Sequence, residues 1–399
     1  MLVEDITVEE QPGCSLLTAS VTRERDGFTR RVEYRFHECP PSLVSTRGDA
    51  FVAGLLLPAM QAGENLTMNA PVSPLLMGRV EEITGILTAW WPQLQRVQVD
   101  APVAVPEPRG TAIGLFFSGG VDSYYSLLKN MEEHPTSDDA ITHLIFAFGT
   151  DTRYGYDQTF MDRIGNMMQE IAEETGKRAI ILECNLRRLF PGLSWMIHHG
   201  SALTSIALAL SPLFKRSLVS AGQPPELRLT PWGSHPQLDP LWGTEGVEIV
   251  HAGGEVYRTE KIASHIARSE LALRTLRVCF EVEHQPRNCG RCRKCLQTMI
   301  ALHGAGALER CSTFVHPLKV GRVWRMDIEG RRHRMERLLG LLGDSRYDRR
   351  LARAIRFAVW RDDLMQVLER RVPGLRVIRR RLPALRRRLP PSSFRAGSP

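Results

Sequence analysis

No apolar run in this chain is long enough to cross a bilayer: the longest, residues 51–60 and 202–210, fall short of the roughly 20 residues a spanning helix needs. The opening Met1-Leu2-Val3-Glu4-Asp5 lacks the basic-then-apolar layout of a secretory leader, so a cytoplasmic address without membrane attachment is expected. There is no internal repeat, no Gly-x-Gly-x-x-Gly and no Walker A lysine, which sets aside solenoids, the dinucleotide-binding design and the kinase or GTPase design. The basic carboxy-terminal segment also lacks interleaved aromatics, Trp360 and Phe394 standing alone, and this weighs against base stacking.

What is present is ordinary in bulk and uneven in distribution. At 399 residues, 43% hydrophobic and 24% charged, the chain can bury a sizeable core and form more than one domain. Its net charge of +8 belongs to one end: residues 319–399 hold 23 Lys/Arg against 8 Asp/Glu, which leaves −7 for the rest. Of eight cysteines, four crowd between Cys279 and Cys295, and in a reducing compartment that crowding reads as metal binding rather than disulfides.

Three regions follow from the pattern. Residues 1–108 read as a small α+β region, with alternating strands at 16–21 and 31–36, a turn at Asp26-Gly27, helical spacing at 50–60 and 77–91, and a proline-rich linker at 102–110. Residues 109–314 alternate apolar strands (113–117, 142–148, 178–183, 218–220, 247–250) with helical stretches (123–131, 159–175, 202–210), which predicts a doubly wound parallel sheet. Residues 315–399 form an arginine-rich helical extension whose last stretch, from Arg379, is expected to be disordered. Met335 and its neighbours to 342 have the spacing of an amphipathic helix packed on the core.

Between the strand at 113–117 and the helix after it lie Ser118, Gly119, Gly120, Val121, Asp122 and Ser123. Paired glycines let backbone approach a phosphate, the helix start offers unpaired N–H groups, and the two serines add donors. Asp122 is the odd member, because an acid beside phosphate is repulsive unless it holds Mg²⁺ or caps the helix. Farther on, Cys289, Cys292 and Cys295 stand at C-x2-C-x2-C spacing ten residues after Cys279. Four soft thiolates at such spacing suit a structural Zn²⁺, an iron–sulfur cluster being the other reading.

The six-residue loop resembles the signature of the PP-loop ATP pyrophosphatases. Loop and cysteine cluster together are similar to the 7-cyano-7-deazaguanine synthase family over about residues 110–310. The resemblance implies ATP bound at residues 118–123, Mg²⁺ as its companion, and attack of a substrate oxygen on the α-phosphate with release of pyrophosphate. It also implies zinc at Cys279, Cys289, Cys292 and Cys295. The amino-terminal region, the arginine-rich end and the segments 195–200 and 231–236 depart from that family's pattern, so the substrate is not carried over.

Several other residues are candidates with a plain alternative beside each. His199 and Gly200, read as opening a helix at 202, would make a second phosphate contact or an ordinary cap. Asp151, after the second strand, would bind ribose or metal, or form a turn. Ser234, His235 and Asp239 lie in a loop rich in proline and tryptophan that would touch substrate or simply pack. Arg258 and Lys261 follow the last strand and would neutralise phosphate or lie on a solvated helix face. Cys184 is either a sulfur carrier or a buried cysteine.

The function expected is an ATP-dependent carbon–nitrogen ligase acting on a small-molecule carboxylate, with Asp122, Ser123 and Lys261 as its catalytic residues. Ammonia or another amine would be the partner substrate, and homo-oligomerisation is left open. The rival is a tRNA- or nucleobase-modifying sulfurtransferase or lysidine-type enzyme using the same adenylation, with nucleic acid gripped by the basic end. A third class is a nucleotide-sensing scaffold without turnover.

Overall fold

In a computed structural model the described residues are 1–104, 110–150, 158–223, 230–279, 287–328 and 331–371. They form a mixed α/β fold: one large, mostly parallel sheet flanked by helices. Its strands in chain order are β1 (Leu2–Gln11), β2 (Cys14–Thr22), β3 (Thr29–His37), β4 (Leu66–Met68), β5 (Val99–Asp100), β6 (Ala112–Phe116), β7 (His143–Phe148), β8 (Arg178–Cys184), β9 (Phe214–Ser220) and β10 (Glu248–Ala252). The helices are α1 (Asp49–Ala62), α2 (Pro74–Trp90), α3 (Val121–Glu133), α4 (Gln158–Glu174), α5 (Leu186–Leu189), α6 (Trp195–Ala209), α7 (Arg258–Ser264), α8 (Glu270–Thr275), α9 (Arg293–Gly304), α10 (Val320–Trp324), α11 (Arg332–Leu339) and α12 (Arg346–Arg371).

Strand order across the sheet is β10-β9-β6-β7-β8-β3-β2-β1-β4-β5. The five strands β10 to β8 are parallel to one another, with β6 central. Every residue of β6 and β7 is buried, as expected where helices cover both faces. From β6 the chain winds outward through β7 and β8. It then crosses to β9 and β10, so the winding direction reverses between β6 and β9. Two apolar cores result. One lies under α1, α2 and α6, the other under α3, α4, α7 to α9, α11 and α12.

The amino-terminal strands are not a separate sheet. β3 pairs antiparallel with β8, Tyr34 opposite Cys184 and Phe36 opposite Leu182, so the sheet continues into residues 1–100. β1 went unread in the sequence because its polar, acidic run leaves only Val3 fully buried, the mark of an outer strand with one wet face. Residues 102–104 of the expected linker pair with Val72, and 105–109 lie outside the described residues.

At the other end α11 buries Met335 and Leu338 against the second core, as its spacing predicts. Trp360 is not isolated: it packs on Phe357 (5.5 Å between ring centroids), which packs on Trp324 (4.5 Å), and all three are at least a third exposed. The stretch from Arg379 onward lies outside the described residues. No helix among the described residues is long and apolar enough to cross a membrane.

Candidate functional site

In doubly wound sheets the crevice for ligands opens at the carboxyl ends of the strands where winding reverses. Here that point joins the β6–α3 loop to the segments following β9 and β10. The β6–α3 loop is drawn tight by its own groups. Gly119 has φ +72°, a left-handed conformation that side chains resist. The Gly120 amide donates to Ser118 Oγ (3.3 Å), and the Ser123 hydroxyl donates to the Gly120 carbonyl (3.1 Å). Ser123 is buried and braces the turn instead of projecting from it.

Asp122, in the first turn of α3, points to α7. Arg258 donates to its Oδ2, and Lys261 Nζ donates to its Oδ1 at 3.0 Å and to the Ala221 carbonyl at 2.9 Å. Lys261 is only 1% exposed, and its ammonium also lies 5.4 Å from the Tyr125 ring centroid. Burial pushes the Asp122 carboxyl up, but Arg258, Lys261 and Lys294 outweigh it and hold the group at about 2. Asp122 is therefore a permanent anion inside a ring of cations. The sequence alone offered metal binding or capping for this residue. The structure adds a third role, the counter-ion of two basic side chains.

A cleft of about 590 Å³, counting space open to solvent, starts at this pair. One wall is Asp122 with Gly222 and Gln223 after β9; the others come from α7, from Gln297 and Thr298 of α9, and from His333, Arg334 and Arg337 of α11. The arginines of α11 belong to the carboxy-terminal extension, which was read in the sequence as packing on the core or gripping nucleic acid, not as part of this site. On the same helix Met335 is buried in the second core, while Leu338, one turn on from Arg334, is buried where core and cleft meet.

The four cysteines converge. Their sulfurs all lie within 4.8 Å of one another, and the pairs Cys279–Cys292 and Cys289–Cys295 are each 3.8 Å apart. A tetrahedron with Zn–S bonds of about 2.3 Å has edges of about 3.8 Å, so the donor set fits a metal such as zinc. Backbone amides of Arg291 and Cys292 donate to Cys289 Sγ (3.3 and 3.2 Å), as expected for thiolates whose charge is shared with a metal. Gly290 has φ +64°, and a Cβ there would sit 2.3 Å from the His316 carbonyl, so this knuckle turn excludes any side chain.

Buried Asn288 ties the knuckle together: its Oδ1 accepts from the Val278 and Cys279 amides (2.7 and 3.1 Å), and its Nδ2 donates to the Leu276 carbonyl (2.8 Å). Just before, the Arg277 amide donates to the Gly119 carbonyl at 2.8 Å. Knuckle and glycine loop are thus two residues apart along one strand of chain, and α9 leaves the knuckle to line the cleft.

The remaining candidates fall elsewhere. α6 begins at Trp195, not near 202, so His199 and Gly200 lie inside the helix and offer no unpaired amides. Gly200 is there for packing: a Cβ would stand 2.0 Å from the Gly233 carbonyl. Ser234 and Asp239 form a buried knot with His251, which the sequence did not single out. The Ser234 hydroxyl and His251 Nδ1 both donate to Asp239 Oδ2 at 2.7 Å, while the His235 amide donates to Oδ1 at 3.1 Å.

Serine and histidine share one carboxylate oxygen, so this is not the relay of a hydrolase. His235 is 2% exposed and packs on Trp90, so it and Asp239 are packed in the loop and do not line the cleft. Cys184, 1% exposed on β8, has its thiol pushed up to about 12 by burial, which leaves it a neutral packing residue. Asp151 lies outside the described residues. No protein-family model, no curated protein and no solved structure matches this chain, so its chemistry has to be argued from this geometry.

Proposed function

We propose that this chain is an ATP-dependent adenylating enzyme of the PP-loop type that forms a carbon–nitrogen bond on a small-molecule carboxylate. In the first step a carboxylate oxygen bonds to the α-phosphorus as the bond from that phosphorus to the pyrophosphate oxygen breaks. In the second, ammonia or another amine attacks the acyl carbon, AMP leaves, and the nitrogen gives up a proton. The observation that carries the reading is that Asp122, which belongs to the motif of the glycine turn, fixes Lys261 and Arg258 in place at the winding reversal.

Each group has work that suits its chemistry. The loop amides and the α3 N-terminus favour phosphate oxygens. Lys261 and Arg258 oppose the negative charge that grows on the leaving pyrophosphate. Asp122 keeps both cations aimed, and its ionised carboxylate is the group of the cleft able to ligate Mg²⁺. Mg²⁺ arriving with the nucleotide would neutralise further charge. Cys279, Cys289, Cys292 and Cys295 would hold a zinc ion in an all-sulfur set, which would brace α9 and, through Arg277, the glycine loop.

The sulfurtransferase rival loses its thiol, because Cys184 is inaccessible. An exchange assay tests the proposal. With a library of carboxylic acids, labelled pyrophosphate should enter ATP only when the right acid is present. No exchange with any acid, in a protein that binds ATP, would refute adenylation of a free carboxylate.

A further inference from the structure

The carboxy-terminal extension contributes a half-buried cation without a counter-ion. Arg334 of α11 lines the cleft, and its guanidinium makes no hydrogen bond or ion pair with any described residue. Burial, then Arg331 and Arg258, and more weakly Arg293, push its guanidinium down to about 10, with Asp122 acting the other way. An arginine remains charged at neutral pH even so. Gln297 of α9 lines the same cleft, and its Nε2 is buried with no acceptor among the described residues. Two residues of two helices that line one cavity therefore carry donors without an acceptor among the described residues.

A buried unsatisfied donor such as Gln297 Nε2 costs folding stability, and its residue shares a cavity wall with an unpaired guanidinium, so the arrangement calls for an explanation. Of the other cations around the cavity, Arg258 and Lys261 are already on Asp122 and Arg337 pairs with Glu260, and Asp122 is the one carboxylate among the lining residues, so cations outnumber anions there. A neutral or cationic ligand would not relieve that surplus. A ligand with several adjacent anionic oxygens would, and the planar guanidinium fork matches phosphate oxygens in pairs.

We propose that Arg334 and Gln297, with Arg258, form a polyphosphate subsite, so that the arginine-rich extension is a working part of the nucleotide site rather than a packing appendage. The subsite takes the outer phosphates of a nucleoside triphosphate. This rests on the ATP reading for the identity of the nucleotide, but not for the polyanion.

Isothermal titration of the full chain with inorganic tripolyphosphate, ATP and AMP tests it, using wild type, Arg334→Met and Gln297→Leu. Arg334→Met keeps the length of the side chain and removes the charge. It is expected to weaken tripolyphosphate and ATP at least tenfold, to change AMP less than twofold, and to leave the melting temperature equal or higher. Gln297→Leu should show a smaller loss of the same pattern, and it serves if Arg334→Met does not fold.

Tripolyphosphate affinity within twofold of wild type in both variants overturns the subsite, as does a wild type that binds no tripolyphosphate, or an equal loss for AMP. The pyrophosphate-exchange assay is scored apart. Exchange that survives in variants with unchanged affinity leaves the adenylation reading standing and removes the subsite. Tripolyphosphate binding that depends on Arg334 in a protein without exchange does the reverse.

Discussion

Replacing Asp122 by asparagine isolates the electrostatic core of the site. The carboxyl is held at about 2 against an ordinary 3.8, which corresponds to roughly 2.5 kcal/mol favouring its ionised form. Asparagine removes that charge and leaves Lys261, 1% exposed, without an anion. Breaking one side of a buried pair costs about 3–5 kcal/mol; the amide oxygen of the new side chain can still accept from the ammonium, which places the expected loss near 3 kcal/mol. Arg258 is 26% exposed and can rehydrate, so it adds little.

Changing Lys261 to methionine as well removes the stranded ammonium, and the double variant should recover to within about 1 kcal/mol of wild type, the remainder being the lost donor to Ala221. Urea denaturation at pH 7 followed by tryptophan fluorescence measures all three variants. A carboxyl with a lowered folded value contributes stability above its unfolded value and loses it only as pH falls through about 4 towards 2. The gap between wild type and Asp122→Asn should therefore be flat from pH 8 to 5. The reasoning fails if Asp122→Asn unfolds within 1 kcal/mol of wild type, or if the double variant is as unstable as the two single losses added.

Other outcomes follow from the same geometry. His143 and His198 are held neutral, at about 4, chiefly by burial. They bind fewer protons folded than unfolded, so stability should climb by about 3 kcal/mol per histidine from pH 4 to 6.5 and then level off; proton-linked denaturation curves of His198→Gln against wild type test this. Elemental analysis should find one zinc per chain, and chelation or Cys292→Ser should lower the melting temperature and weaken ATP at least threefold, because the knuckle holds Gly119 through Arg277. Gly200→Ala should lose more than about 3 kcal/mol by overpacking, with ATP affinity per folded molecule unchanged, since its methyl would meet Gly233 and not the cleft.

How much could be read beforehand depended on whether a feature was local. The glycine loop between an apolar strand and a helix, and the knuckle with its C-x2-C-x2-C spacing, are short-range patterns, and both stand where the spacing put them. The basic pair at the start of α7 was legible as residues but not as geometry, since only folding brings Arg258 and Lys261 to Asp122, 136 and 139 positions away. The start of α6 was missed because its first turns, Trp195 to Gly200, include Trp195, Ile197, two histidines and a glycine, all of weaker helix propensity, and hold their form by packing on α1 and Gly233.

The buried knot of Ser234, Asp239 and His251 joins a loop to a strand, and polar residues in a loop look alike whether they pack or bind. The pairing of β3 with β8 spans some 150 residues and leaves no local trace.

The most direct test of the central claim is the fate of the phosphates. ATP labelled at the α-phosphorus, incubated with the protein, Mg²⁺, ammonia and the acid identified by exchange, should yield labelled AMP and unlabelled pyrophosphate in equal amounts. Labelled ADP with inorganic phosphate would contradict the account, because cleavage would then fall at the terminal phosphate and not at the α-phosphorus that the proposal requires.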